Sequence, residues 1–522
     1  MKHALIATAM LSLALPAAAE TAGFKPDGPK VTVAQGTVEG VTDYGVDSFK
    51  GLPFAAPPVG QLRWRAPQPA AAWSGVRIAD HFAPDCMQQA VPYDDAPLTV
   101  KSSEDCLYLN VWRPAGSEGR RLPVMVWIYG GGFVSGGTSP AIYDGAAFAR
   151  DGLVFVSVNY RLGRFGFFGF PALTRENADR GDLGDYAFMD QIAALKWVRA
   201  NIAAFGGDPG NVTLFGESAG GFSMHALLTS PEAKGLFARA IIQSGAGRLD
   251  PDGERSLGRD GKKPSAETVG VHFAEAHGIA GTDAAALAAL RALPADAVRG
   301  DLSLATESDE ADTFTGEIVD GHILPEPPAT AEASGTFNAS AIMVGANTAD
   351  ISRIHAASKD ALFATFGPLA AQAHQAYDPD GTYSLDALNA AVGADALMIE
   401  PARATAQRAA AHGITVFEYR FAYTASQKKP QSPFGAPHAS ELPFVFSTLE
   451  ARYGEAATAE DHQAARAMHA AWVAFAKGEA PWTAWTPSSD AVMVFTPDAQ
   501  AKVLPDPLKA RLDVTQAKAE AK

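Results

Sequence analysis

Asn211-Val212-Thr213-Leu214-Phe215-Gly216-Glu217-Ser218-Ala219-Gly220 joins two kinds of sequence. Residues 211–215 are apolar and β-branched, the composition of a buried strand, and residues 221–228 suit the start of a helix. Between them stands an instance of G-x-S-x-G. A serine set between glycines at a strand-to-helix junction can take up a sharp, strained turn. The turn lifts its hydroxyl clear of the sheet and aims the following backbone N–H groups at a bound carbonyl oxygen. The pentapeptide alone also fits an ordinary strand-ending turn, because short Gly/Ser patterns recur by chance. What decides between the two is whether a base, an acid and further N–H donors exist elsewhere in the chain.

Working outward, the flanking segments predict an α/β architecture. Pro123 opens an uninterrupted apolar strand over 124–129, of the kind covered on both faces, which runs into Gly130-Gly131-Gly132-Phe133. A second buried-type strand covers 153–159. Residues 190–202 have helical spacing, with Ile192, Leu195, Trp197, Val198 and Ile202 on one side, and they lead through Phe205-Gly206-Gly207-Asp208-Pro209 into the serine strand. A further strand follows over 238–243. Strand, helix, strand in repetition implies a mainly parallel sheet. Before it, 32–41 reads as a small antiparallel sheet. After it, 250–263 reads as a mobile loop and 266–293 as alanine-rich helix, part of a cap over about 250–310. Residues 342–345 and 416–421 return to strand, 360–410 is helical with a break at Asp378-Pro379-Asp380-Gly381, 460–477 is a helix and 492–496 a last strand. The Lys-, Ala- and Glu-rich tail from Lys509 predicts frayed helix or disorder. The expected plan is a signal peptide at 1–19, one domain over 20–508 with cap segments at about 250–310 and 355–410, and a polar tail at 509–522.

Composition sets outer bounds. The chain has 522 residues, is 47% hydrophobic and 19% charged, and carries a net charge of −16. A large core is expected, and a nucleic-acid or anionic-membrane partner is disfavoured. Lys2 and His3, an apolar run over 4–15 and Ala17-Ala18-Ala19 predict a secretory signal peptide cleaved after Ala19, hence a periplasmic or secreted protein. No later stretch is apolar enough for a span of ~20 residues, so no membrane association is expected after cleavage. Two cysteines, Cys86 and Cys106, are an even count in an exported chain and point to one disulfide, worth about 3 kcal/mol in the chain-entropy model; two buried thiols are the alternative. They make no zinc site, and no metal or other cofactor is expected.

The chemistry requires partners for Ser218. Serine is a poor nucleophile without a base in hydrogen-bond reach and an acid that orients that base. Hydrolases of α/β architecture order them serine, acid, histidine. Of twelve histidines, His438 in Gly435-Ala436-Pro437-His438-Ala439-Ser440-Glu441 stands out, in a Gly/Pro-rich loop after the 416–421 strand. His225 is predicted to point away from the serine, His322 to sit in a turn, and His355, His374, His412, His462 and His469 to be solvated. Asp350 is the only carboxylate between the 342–345 strand and Asp360; Asp320 and Glu418 are the alternatives. Gly131 and Gly132, with the N–H of Ala219, would supply the oxyanion donors, since glycine lets a carbonyl oxygen approach the backbone closely. A phosphate-binding loop is excluded because no Lys-Ser/Thr follows. Arg63-Trp64-Arg65 is an unusual cluster, fitting either a surface patch or a buried arginine pair.

These segments resemble the type-B carboxylesterases, the family of cholinesterases and para-nitrobenzyl esterases. The resemblance is carried by Phe205-Gly206-Gly207 through Gly220, and by Glu104-Asp105-Cys106-Leu107-Tyr108-Leu109-Asn110. Asn159-Tyr160-Arg161-Leu162-Gly163, Val319-Asp320-Gly321 with Leu324-Pro325, and His438 with Glu441-Leu442-Pro443-Phe444 add to it. It spans Val31 to the 490s. It implies an α/β-hydrolase fold and a carboxylic-ester hydrolase with Ser218 as nucleophile, His438 as base, and Gly131, Gly132 and Ala219 as oxyanion donors. It also implies a Cys86–Cys106 disulfide, a buried Arg63–Glu104 ion pair, and Glu217 and Ser244 as supporting groups near the histidine.

Two departures stand out. The family acid is usually glutamate followed by glycine, whereas here Asp350 precedes Ile351, and aspartate is one methylene shorter. The stretch from Met87 to Asp105 has Tyr93 but no tryptophan, which argues against a choline-ester specialist. The expectation is an exported serine esterase acting on small-molecule esters, its oligomeric state unread. A non-catalytic binding module of the same family and a lipase or polyester hydrolase are the alternatives.

Overall fold

The apolar runs assemble into one eleven-stranded sheet. Its strands are Val41–Asp43 (β1), Val46–Pro53 (β2), Tyr108–Pro114 (β3), Leu122–Ile128 (β4), Val154–Val158 (β5), Gly207–Glu217 (β6), Arg239–Gln243 (β7), Ala341–Asn347 (β8), Thr415–Phe421 (β9), Ala491–Phe495 (β10) and Ala501–Pro505 (β11). The computed structural model describes residues 28–89, 96–248, 253–307 and 310–521. The expected signal peptide, Tyr93 and the start of the expected mobile loop at 250–263 lie outside the described residues. In space the order is β11-β10-β9-β8-β7-β6-β4-β5-β3-β2-β1. From β5 across to β10 all neighbours are parallel, and both flanks are antiparallel. All five residues of β5 are buried, as a strand covered on both faces requires. This is the α/β-hydrolase fold.

The topology decides where a ligand can sit. The chain runs β4 to β5 in one direction, then crosses β4 to place β6 on its other side. The sheet therefore changes direction between β4 and β6, which pair through Ile128 and Gly216. Such a switch leaves a crevice at the carboxyl ends of the two strands. Those ends carry Gly130-Gly131-Gly132 and Ser218.

The helices that matter here are Tyr186–Asn201 (α1), Ala219–Thr229 (α2), Glu400–Ala411 (α3), Ala459–Ala476 (α4) and Lys509–Glu520 (α5). The start of α4 is set by a capping box, with Thr458 Oγ1 accepting from the Asp461 N–H and Asp461 Oδ2 from the Thr458 N–H. Among the described residues no helix is long and apolar enough to cross a membrane.

Several expectations need correction. The N-terminal sheet is not purely antiparallel: Lys30–Val33 and Gly36–Glu39 are, but Val76–Ile78 joins them in parallel. The helical run over 266–293 is made of two helices, Ala266–Ala276 and Ala284–Arg291, with Gly278 and Gly281 between them. β10 is not the last strand, because β11 turns back along its edge. The tail is not frayed. α5 buries Leu512 and Val514, and Arg511 pairs with Asp395 at 2.8 Å. His469 is not solvated: it lies on the inner face of α4, with Nδ1 at 2.7 Å from the Val445 carbonyl and Nε2 at 3.1 Å from Asp151.

Candidate active site

Ser218 occupies the single residue between β6 and α2, with φ 54° and ψ −123°. A non-glycine residue at positive φ is strained and persists only where its surroundings impose it. Here the sheet does so. A Cβ at Gly220 would lie 2.0 Å from the Ile128 carbonyl oxygen, and one at Gly216 would lie 2.4 Å from the Gly220 oxygen, so only glycines allow α2 to start this close to β4. The Ser218 N–H donates to the Gln243 carbonyl at 3.0 Å. The serine itself is half-buried while Glu217 and Ala219 beside it are buried.

The elbow opens onto a cavity of about 940 Å³ whose walls include Ser218, Gly131, Gly132, Ala219, Glu217 and His438. Gly131 and Gly132 adopt φ 106° and 61° in the turn after β4. Their N–H groups, like that of Ala219 at the first position of α2, have no hydrogen-bond acceptor among the described residues.

His438 reaches the cavity from the loop after β9. Its Nδ1 lies 2.6 Å from Asp350 Oδ1, in the loop after β8. The two loops are fastened together. The Ala349 N–H donates to the Ala436 carbonyl at 2.9 Å, and Asn347 Nδ2 donates to the Pro437 carbonyl at 2.6 Å. This close apposition lets an aspartate, one methylene shorter than glutamate, reach the ring. Asp350 also accepts from Ser244 Oγ at 2.6 Å, the Asn347 N–H at 3.1 Å and the Ile351 N–H at 2.8 Å. Burial opposes its ionisation, but His438, Ser244 and the Ile351 N–H outweigh burial and hold the carboxyl below its usual range. The alternative acids are engaged elsewhere. Asp320 accepts from the N–H groups of His322, Ile323 and Leu324, and Glu418 is buried against Arg420.

The other face of the imidazole meets Glu217. His438 Nε2 is 3.1 Å from Glu217 Oε1, a close approach without hydrogen-bond alignment, and that oxygen has no hydrogen-bond partner among the described residues. No hydrogen bond joins Ser218 Oγ to His438 among the described residues; sites of this kind often tighten only around a substrate. Burial pushes Glu217 up to about 8, with His438 pulling down and Glu441 and Asp350 adding to the rise. For His438, burial disfavours the charged ring, yet Glu217, Asp350 and Glu441 raise it to about 10. The two groups compete for one proton: a protonated Glu217 no longer pushes His438 upward. The net direction is upward, an imidazole more basic than a free one.

The family model described as "Carboxylesterase family" matches residues 27–378 and 369–503. The chain belongs to the carboxylesterase family.

This carboxylesterase is 37% identical to the para-nitrobenzyl esterase of Bacillus subtilis (strain 168), over 87% of this chain and 90% of that one. It is 36% identical to the fumonisin B1 esterase of Sphingopyxis macrogoltabida, over 89% of this chain and 84% of that one. A solved structure of PNB esterase superposes with a TM-score of 0.78 at 33% identity, covering 93% of this chain and 99% of that one. The carboxylesterase is thus a carboxylic-ester hydrolase.

Other residues singled out in the sequence make defined pairings, and of these His225 lines the cavity. Cys86 and Cys106 form a disulfide. Arg63 makes a two-pronged ion pair with Glu104, at 2.8 and 2.6 Å, and also donates to the Leu293 carbonyl at 2.8 Å. Arg65 instead pairs with Asp179, so the two arginines of the cluster have separate partners. His225 is buried with Nδ1 on Glu332, and it nevertheless lines the cavity. Sequence reasoning gave no role to Glu441 or Asn347. Glu441 accepts from Gln243 Nε2 at 3.0 Å and from Asn347 Nδ2 at 2.7 Å, so it braces the histidine loop against β7 and β8. Their signal in the sequence was position alone, one at the end of β8 and one three residues beyond His438.

Proposed function

We propose that this carboxylesterase is an exported serine esterase acting through Ser218, His438 and Asp350. Ser218 Oγ attacks the ester carbonyl carbon and gives its proton to His438 Nε2. The developing oxyanion is held by the N–H groups of Gly131, Gly132 and Ala219. Collapse expels the alcohol, protonated by His438, and leaves an acyl group on Ser218. A water activated by His438 then releases the acid. Asp350 keeps Nδ1 protonated and so leaves Nε2 to face the reaction. Ser244 supports Asp350, and Glu217 adjusts the basicity of the ring.

The observation that carries this reading is the 2.6 Å contact between His438 Nδ1 and Asp350, made by two loops that also bring His438 to the cavity holding Ser218. The unengaged N–H groups opposite supply the remaining requirement, each worth about 3 kcal/mol in the transition state. Export is supported by the composition of residues 1–20 and by the disulfide. The test is Ser218→Ala with a short-chain para-nitrophenyl ester: turnover should be lost, and a folded variant with wild-type activity would remove Ser218 from the mechanism.

A further inference from the structure

We propose that Gln88, with Asp85 beside it, is a positioning residue that sets the aim of the oxyanion glycines. Gln88 is buried two residues from Cys86 and grips both backbone groups of Gly136. The Gly136 N–H donates to Gln88 Oε1 at 2.8 Å, and Gln88 Nε2 donates to the Gly136 carbonyl at 2.6 Å. The same Nε2 donates to the Cys86 carbonyl at 3.0 Å, so the amide is itself held from behind. Asp85, fully buried, takes the next residues. Its Oδ1 accepts from the Thr138 N–H at 2.8 Å and the Ser139 N–H at 3.3 Å, and its Oδ2 accepts from Ser139 Oγ.

This grip is transmitted to Gly131 over one tight turn. The Gly131 carbonyl accepts from the N–H groups of Val134 and Ser135 at 3.1 and 3.0 Å, and from Ser135 Oγ at 3.1 Å. Gly136 packs on Gly130 so closely that a Cβ there would lie 2.5 Å from the Gly130 carbonyl oxygen. Residues 130–136 are therefore tied to one another. One end of that stretch is β4, and the other is the Gln88 amide, anchored through Cys86 to Cys106. The Gly131 carbonyl shares a trans peptide plane with the Gly132 N–H, so turning that oxygen into the loop turns the Gly132 N–H the opposite way. A peptide plane that must meet a developing charge loses much of its worth when displaced by an ångström.

The inference rests on the oxyanion roles given to Gly131 and Gly132 above. The test compares wild type, Gln88→Leu and Gln88→Glu by kcat and KM for para-nitrophenyl butyrate, and by inhibition with an alkyl trifluoromethyl ketone, which adds to the serine as a tetrahedral mimic. Gln88→Leu should lower kcat about 10- to 100-fold with KM nearly constant, and weaken the ketone by a similar factor. Gln88→Glu keeps the acceptor for the Gly136 N–H and should recover part of the loss. Should Gln88→Leu not fold, Gln88→Asn, too short to grip both groups, should show the same split. A kcat within twofold of wild type in Gln88→Leu or Gln88→Asn overturns the proposal, as does a kcat loss with unchanged ketone affinity. Failure of this inference alone would leave Ser218→Ala inactive, whereas failure of the esterase reading would leave Ser218→Ala active.

Discussion

His438 Nε2 lies 3.1 Å from Glu217 Oε1, on the residue next to Ser218. The approach places a buried carboxyl where it can tune the basicity of the imidazole proposed as the base. A general base works in its neutral form. Because its neighbours raise His438, the neutral fraction grows as pH rises, so kcat/KM should climb through neutral pH and level off in the alkaline range. Glu217→Gln removes the raising charge that Glu217 supplies once it ionises, so the effect belongs to the alkaline part of the limb. That part should move to lower pH by about one unit, with a lower plateau because the imidazolium formed during attack is less stabilised. The pH profile of kcat/KM reads this directly, and an unmoved limb would separate Glu217 from the base.

Asp350 has no slack. Both of its oxygens are engaged and its side chain is fully buried. Asp350→Asn should lower kcat by about 10³- to 10⁴-fold through the wrong tautomer of His438. Ser244→Ala should cost much less, on the order of tenfold, because one of several bonds to the carboxylate is removed. Parallel steady-state kinetics of the two variants checks the ranking.

Stability should depend on the Arg63–Glu104 pair. With the arginine side chain 5% exposed and the glutamate 14%, removing one partner strands a largely buried charge. Glu104→Ala should therefore destabilise by about 3 kcal/mol. Denaturant unfolding measures it, and a loss below 1 kcal/mol would place the pair among ordinary surface ion pairs.

Deleting residues 509–522 tests the docked tail. α5 contributes Leu512 and Val514 to buried clusters, and Tyr377 Oη lies 2.8 Å from Thr515 Oγ1. Truncation should cost about 3 kcal/mol or more from the apolar side chains alone. A melting temperature unchanged by truncation would mean the helix adds nothing.

How much of this was legible follows from where each signal lives. The elbow was readable because strand, glycines, serine and helix are contiguous, and local sterics at Gly216 and Gly220 admit little else. Asp350 was found by elimination within one loop, and His438 by its setting after a strand. The tail was misread because its composition is polar and its apolar contacts, Leu512 and Val514, matter only where the 359–399 helices meet them. His469 was misread for a similar reason: helical spacing does not say which face of α4 turns inward. Gln88 carries no signal in the sequence, and Glu441 enters only as part of a resemblance motif with no role attached, since their partners, Gly136 and Gln243, are 48 and 198 residues away.

The most direct measurement is covalent labelling with a stoichiometric organophosphonate, followed by intact mass and peptide mapping. The account predicts one adduct per chain, on Ser218, with loss of ester turnover in proportion to labelling, and slow or absent labelling in His438→Ala. Turnover that survives complete labelling, or an adduct carried by another residue, would contradict it.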